Sequence, residues 1–187
     1  MTTTTGDTVK ADTGLDQLAD ELVGTLVRPD DAGYDEARAL WNGLADRAPA
    51  AIVRCGGIAD VQAAVRFAAV YDLLVAVRGG GHNVAGTAGV DGGLVIDLSE
   101  MNHVDVDPEQ RRARAGGGAT WADVDAATQV HGLATPGGLV SQTGIGGLTL
   151  GGGIGWLRRK HGLACDNLVA ATLVTADGAV QVVDEDV

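Results

Sequence analysis

The stretch Leu73-Leu74-Val75-Ala76-Val77-Arg78-Gly79-Gly80-Gly81-His82-Asn83 decides how this chain folds. Residues 73–77 form a continuous apolar run, the composition of a strand buried on both faces. Three glycines follow at once, where the strand must hand over to a loop. Upstream, residues 50–54 read as a strand, and residues 60–71 as a helix with Val61, Ala64, Val65 and Ala68 inward. These segments make a βαβ unit that delivers the chain into the glycine loop. Residues 94–98 are a further short strand.

Towards the N-terminus, Leu15, Leu18, Ala19, Leu22 and Val23 recur at helical spacing. A second helix is expected over residues 34–45, with Ala37, Leu40, Trp41 and Leu44 on one face and Pro29 and Pro49 as punctuation. Residues 1–13 are Thr-rich and polar and read as a disordered tail. Downstream, residues 104–107 and 112–115 can pair across a turn. Thr120-Trp121-Ala122-Asp123 has the form of a capping box, and its helix should run to about His131 before Gly132. A second glycine-rich tract spans Thr135 to Gly155. Residues 168–175 and 180–183 flank Asp177-Gly178, and Asp-Gly between apolar runs marks a hairpin.

Glycine is the anomaly in composition, because twenty of its 29 residues lie between Gly79 and Gly155. Such loops are either anion-binding nests or flexible linkers. Two long tracts, each fed by an apolar strand or helix, favour binding. Neither contains G-x-G-x-x-G, and Gly-Lys never occurs, so the Rossmann fingerprint and the P-loop are both excluded. The formal net charge of −12 argues against nucleic acid or an anionic membrane as partner. It also requires that any dianionic cofactor be held by local donors against the overall field. Cys55 and Cys165 form no disulfide framework, and the four histidines are too scattered for a zinc site. With no basic n-region, no signal-type apolar segment and no run of membrane-spanning length, a soluble cytoplasmic protein is expected.

Three ordered motifs carry a resemblance: Val77 to Asn83, Gly144 to Gly153 (GIGGLTLGGG) and Gly162-Leu163-Ala164-Cys165-Asp166-Asn167. Together they resemble the FAD-linked oxidases of the berberine bridge enzyme-like group, in the vanillyl-alcohol oxidase/p-cresol methylhydroxylase (VAO/PCMH) superfamily. The resemblance implies an α+β fold, a two-subdomain FAD-binding domain of the PCMH/VAO type. It implies that Arg78, Gly79, Gly80, Gly81, His82 and Asn83 wrap the FAD pyrophosphate, with His82 bonded to the flavin 8α-methyl. Taken without the surrounding motif, His82 reads as a loop histidine that only hydrogen-bonds. Ser141, Thr143, Gly144, Gly146, Gly147, Gly151, Gly152 and Gly153 are implied to approach the isoalloxazine and the other side of the pyrophosphate. Asp166 and Asn167 either line the cofactor or cap backbone.

Many members of the group carry a second tether, a cysteine four residues before the second glycine tract. That position is Val140 here, so a single covalent link is expected, and Cys55 and Cys165 read as small packed residues. The expected organisation is an N-terminal helical segment over 14–49, a first subdomain over 50–115 and an incomplete second subdomain over 116–187, with the family's substrate domain absent. Neither Tyr34 nor Tyr71 matches the family's catalytic base, so none is assigned. The implied reaction is oxidation of an alcohol or similar C–H donor, a small molecule, by hydride transfer to FAD with reoxidation by dioxygen. The alternatives are an inert FAD-binding fragment and a glycine-rich interaction protein, the latter disfavoured by the apolar strands.

Overall fold

The computed structural model of the chain describes residues 14–184. The tail expected over 1–13 and residues 185–187 lie outside them. The first half comprises α1 (14–21), β1 (Thr25–Val27), α2 (Tyr34–Arg38), β2 (Ala51–Arg54), α3 (Ile58–Val70), β3 (Val75–Arg78) and β4 (Leu94–Asp97). The four strands form one sheet in the order β1-β2-β4-β3. β1 runs antiparallel to β2, and β2, β4 and β3 are mutually parallel.

Alternation along the central strands divides the core in two. Ala51, Val53, Leu94 and Ile96 face α1 and α3, where they pack with Leu15, Leu18, Ala64 and Ala68. Ile52, Val95 and Ala76 face α2 and pack with Tyr34 and Ala37. The apolar run ending in the glycine loop is therefore an edge strand, not the doubly buried strand its composition suggests. The later strand β4 inserts between it and β2. α3 lies over β4, so Val75 and Val77, in register with Leu94 and Ile96, stay uncovered at 43% and 56% exposure.

Asp60 ties the N-terminal segment to this layer. It is 1% exposed, yet its carboxylate accepts backbone N–H bonds from Val23 at 3.0 Å, Gly24 at 2.9 Å and Gly56 at 2.7 Å. Helical periodicity alone would place an apolar residue there. The carboxylate instead supplies acceptors to three amides that no ladder pairs.

The second half comprises β5 (Val104–Asp107), β6 (Arg112–Ala115), α4 (Trp121–Gln129), α5 (Ile145–Leu150), α6 (Arg158–His161), β7 (Ala170–Val174) and β8 (Val180–Asp184). The β5–β6 register sets Asp105 opposite Arg114 and Asp107 opposite Arg112, cross-strand pairs of opposite charge. The other face of the hairpin packs its Val104 and Ala115 against Trp121 and Val124 of α4, with Ala164, Ile145 and Leu148 completing the cluster. The β7–β8 hairpin turns at Gly178, φ 76°. It is held to α3 by Gln62 Nε2 and Arg66 Nη2, which donate to the Gly178 carbonyl at 2.7 and 3.1 Å. No helix among the described residues is long and apolar enough to cross a membrane.

Asp60→Ala removes one acceptor group from three amides at once. Urea unfolding should show it less stable by about 3 kcal/mol, since each stranded buried donor costs roughly 1–3 kcal/mol.

Candidate functional site

In open parallel sheets, ligands collect beyond the carboxyl ends of the strands. β3 ends there at Arg78 and runs straight into Gly79-Gly80-Gly81-His82-Asn83. β4 ends at Asp97, buried and in register between Arg54 and Arg78. Across the turn after β4 passes a third glycine run, residues 116–118. A Cβ on Gly116 would stand 1.9 Å from the Met101 carbonyl oxygen, and one on Gly118 1.7 Å from that of Leu98. Only bare backbone can take this path.

The three runs meet. A Cβ on Gly80 would lie 2.3 Å from the backbone nitrogen of Gly144, and one on Gly144 the same 2.3 Å from that of Gly80. Gly79 and Gly146 each look onto the Gly117 carbonyl, their Cβ positions 3.2 and 3.4 Å from it. The second tract is brought there by α4. Thr120, whose backbone N–H and hydroxyl both bond Asp123 at 2.7 and 2.8 Å, forms an antiparallel bridge with Gly144. The amides of Trp121 and Ala122 donate to Thr143 and Ser141 at 3.1 and 2.9 Å, and that of Ile145 to Ala119 at 2.9 Å. Residues 116–118 were not among the expected site residues, although a run of three glycines was itself the signal.

At this junction the backbone carries unspent donors. Among the described residues, the N–H groups of Gly79, Gly80, Gly81, His82 and Asn83 donate to no protein acceptor, nor do those of Gly146 and Gly147 in the first turn of α5. Unpaired amides clustered where side chains are excluded are what an anionic group with several acceptor oxygens requires. They also meet the demand set by the acidic chain, which can hold an anion only through local donors. Arg78 is held beside the loop by its Nη1, which donates to the Ala37 carbonyl, a neutral partner that leaves the guanidinium charge in place. Gly81, at φ 68°, closes over that guanidinium, its Cβ position 3.3 Å from Arg78 Nε.

His82 is half-buried. Its ring stacks on that of Trp41, with centroids 5.4 Å apart and planes inclined by 22°. The Trp41 N–H donates to the Gly81 carbonyl at 3.2 Å, and Asn42 Nδ2 to the Val84 carbonyl at 2.8 Å. These bonds explain why the helix expected over 34–45 stops at Arg38. From Ala39, at ψ 134°, the chain is extended and clamps the glycine loop, leaving Leu44 exposed. Asn83 closes the loop's far side, where its carbonyl accepts the Gly86 amide at 3.0 Å and its Oδ1 that of Thr87 at 3.4 Å.

Gly151, Gly152 and Gly153 follow α5 and pack elsewhere. Gly152 and Gly153 have φ of 101° and 81°. Their carbonyls accept the amides of Cys165 and Ala164 at 3.0 and 2.9 Å, and a Cβ on Gly153 would meet the Ala164 methyl at 2.4 Å. Asp166 Oδ2 accepts the Leu163 amide at 2.8 Å, and Asn167 Nδ2 donates to the His161 and Leu163 carbonyls at 2.9 and 2.8 Å. Both side chains thus cap the backbone of their own turn. Tyr34 is buried and donates to the Pro49 carbonyl at 2.6 Å, its pKa raised chiefly by burial, while Tyr71 packs on Phe67. Among the described residues no group of His, Cys, Asp or Glu is arranged to hold a metal ion.

The two cysteines part company. Cys55 is buried as expected, and burial, with Asp60, Asp97 and Glu100 adding to it, pushes its thiol up to about 12. Cys165 is exposed rather than packed, because Ala164 fills the core position of that turn.

Iodoacetamide applied to the native protein should therefore alkylate Cys165 and spare Cys55, as peptide mass mapping would record. Gly80→Ala or Gly144→Ala should part the two loops and speed hydrogen exchange across the β3 loop and the start of α5. Gly147→Ala, whose Cβ meets nothing within 4 Å, should leave that exchange unchanged.

Comparison with known proteins agrees with this geometry. The FAD binding domain family matches residues 49–184. (R)-6-hydroxynicotine oxidase of Paenarthrobacter nicotinovorans is 43% identical over 159 residues, which cover 85% of this chain and 35% of that protein. The crystal structure of 6-hydroxy-D-nicotine oxidase from Arthrobacter nicotinovorans superposes with a TM-score of 0.87 at 42% identity, over 88% of this chain and 36% of that one. BBE-like 1 of Physcomitrella patens superposes with a TM-score of 0.84 at 31% identity, over 91% of this chain and 37% of that one. The chain thus spans little more than a third of the length of the proteins it matches. The α+β fold expected from the motifs is that of these oxidases, and the chain belongs to the FAD binding domain family of the FAD-linked oxidoreductases.

Proposed function

We propose that this chain holds the FAD of an oxidase that acts on an alcohol or similar C–H donor, with the flavin covalently tethered to His82. The observation that carries the proposal is the row of unspent amides from Gly79 to Asn83, at the place where Gly80 touches Gly144. A pyrophosphate fits such a cradle, since it brings many acceptor oxygens and needs close backbone approach. Gly79, Gly80 and Gly81 would bind it from the β3 loop, and Gly144, Gly146 and Gly147 from the start of α5. When bound, FAD supplies a two-electron acceptor that takes hydride from the substrate and passes the electrons to dioxygen, giving hydrogen peroxide.

His82 follows the cradle directly, so amides that fix the phosphates also fix how far its imidazole can reach. Among the described residues neither ring nitrogen has a hydrogen-bond partner, which leaves one available to form the tether. Val140 stands where a second, cysteine tether would be, and Cys165 lies in another turn, so the link is single. The acidic field argues for a small-molecule substrate rather than a polyanionic partner, and two unpaired cysteines suit the cytoplasm.

One observation favours a second reading, in which the chain holds flavin without turning it over. Tyr34 donates its hydroxyl to the Pro49 carbonyl, and Tyr71 ends α3 at the end of the sheet opposite the glycine loop, so neither supplies the family's usual phenolic base at this site. On that reading, proton abstraction depends on residues outside this chain.

Purified with its flavin, the protein should give a band that fluoresces on a denaturing gel, and His82→Ala should abolish that band. Fluorescence persisting in His82→Ala, or mapping to Cys165, would sink the assignment. Oxygen consumption with alcohols, sugars and 6-hydroxynicotine separates an oxidase from an inert holder.

A further inference from the structure

We infer that Trp41 is the positioning residue of the tether: its indole, stacked on the His82 imidazole, fixes the plane from which that ring bonds the flavin. The inference rests on His82 being the attachment residue. Attachment joins an imidazole nitrogen to the flavin methyl carbon. The N–H and one methyl C–H are lost, and the two electrons left on the cofactor are removed by dioxygen as hydrogen peroxide.

His82 sits in a loop that does little to orient its ring. Gly81 precedes it in the left-handed region at φ 68°, and no hydrogen bond reaches either ring nitrogen among the described residues. Among the described residues the ring contact made by His82 is the Trp41 stack, at 5.4 Å and 22°. A stack suits the task because it holds the face and leaves both edge nitrogens open. A hydrogen bond to the reacting nitrogen would block it, whereas the stack leaves either nitrogen open.

Trp41 is placed for this and for little else. It is 63% exposed and belongs to none of the buried clusters, an unusual position for an indole. The chain reaches that position by leaving α2 early. It then anchors on the loop through the Trp41 amide to Gly81 and the Asn42 amide group to Val84, on either side of His82. Ala45 adds a contact to Gly86, whose Cβ position is 2.4 Å from the Ala45 methyl. Those anchors belong to the backbone and to Asn42, so substitution at Trp41 leaves the clamp in place and removes only the ring.

The test is a time course of covalent flavin incorporation into the full-length protein, prepared without flavin and then given FAD in air. Gel fluorescence reads the attached flavin, and absorbance of the filtered protein reads total bound flavin. Trp41→Ala should attach flavin about tenfold more slowly, the upper end of what an aromatic pair contributes, with total bound flavin and melting temperature unchanged. Trp41→Phe, which keeps a stack, should restore the rate to within about threefold. Where Trp41→Ala loses the fold, Trp41→Leu against Trp41→Phe makes the same comparison. Attachment at the unaltered rate in Trp41→Ala, or equal slowing in Phe and Ala, overturns the inference and leaves the His82 assignment intact. Absence of attached flavin in the unaltered protein overturns both.

Discussion

Two peptide backbones in contact, at Gly80 and Gly144, set the terms for the rest of the molecule. Sixty-four positions separate them in sequence, and each occupies space where the other's Cβ would have to be. Such an approach holds only if both sides are braced, and most of the fold is that bracing. On one side, β3 is fixed by its ladder to β4, and its loop is gripped by the segment after α2. On the other, the Thr120–Gly144 bridge and the amides at the start of α4 fasten the second tract to a helix. The 116–118 run passes between, held so close to the turn after β4 that it too must lack side chains. The glycines of these three runs therefore follow from geometry, three backbones brought to one place.

Charge explains why the cradle is built of amides. A chain of net charge −12 repels anions at long range, and Arg78, held by the Ala37 carbonyl, sets a local positive charge beside the loop against that field. The amides add short-range dipoles. Their field falls off steeply, so they act only on a group already seated, and they cost nothing to desolvate beyond their own lost water. A site of this kind selects by shape and acceptor number rather than by attraction from afar. It also binds without the long-range steering that a basic patch would give, so on the proposed reading a permanent link replaces repeated capture of the cofactor.

The features legible in the sequence were those with local causes. The β5–β6 pair, the Thr120 capping box and the Asp177-Gly178 turn each depend on residues within a few positions, and the structure has all three. The site's cofactor class was legible for a different reason, since three glycine motifs in order leave few alternatives. What could not be read was set by distant partners. The helix over 34–45 fails at Ala39 because amides further along bond the loop near Gly81, a partner forty positions away. Val75 and Val77 look like core and are not, because composition carries no information about which strand takes the sheet's centre. Asp60 looks like a surface carboxylate until Val23, Gly24 and Gly56 are brought to it. Cys165 follows the same logic, since its neighbour Ala164 claims the buried position.

The position of His82 adds a constraint that no single motif contains. On the reading proposed above, the loop that grips the phosphates also ends in the nucleophile, so one short segment sets both the cofactor's place and the reach of its tether. That economy leaves one freedom unfixed, rotation of the imidazole about its own side-chain bonds. Glycine neighbours cannot restrain it, and a hydrogen bond to the reacting nitrogen would block that atom. A flat aromatic laid against the ring face removes the freedom without using a nitrogen, and an early end to α2 is what brings Trp41 there. On the proposed reading, the truncated helix, the exposed indole and the unpartnered imidazole share one physical cause: a reactive ring held by its face, with both edge nitrogens left open.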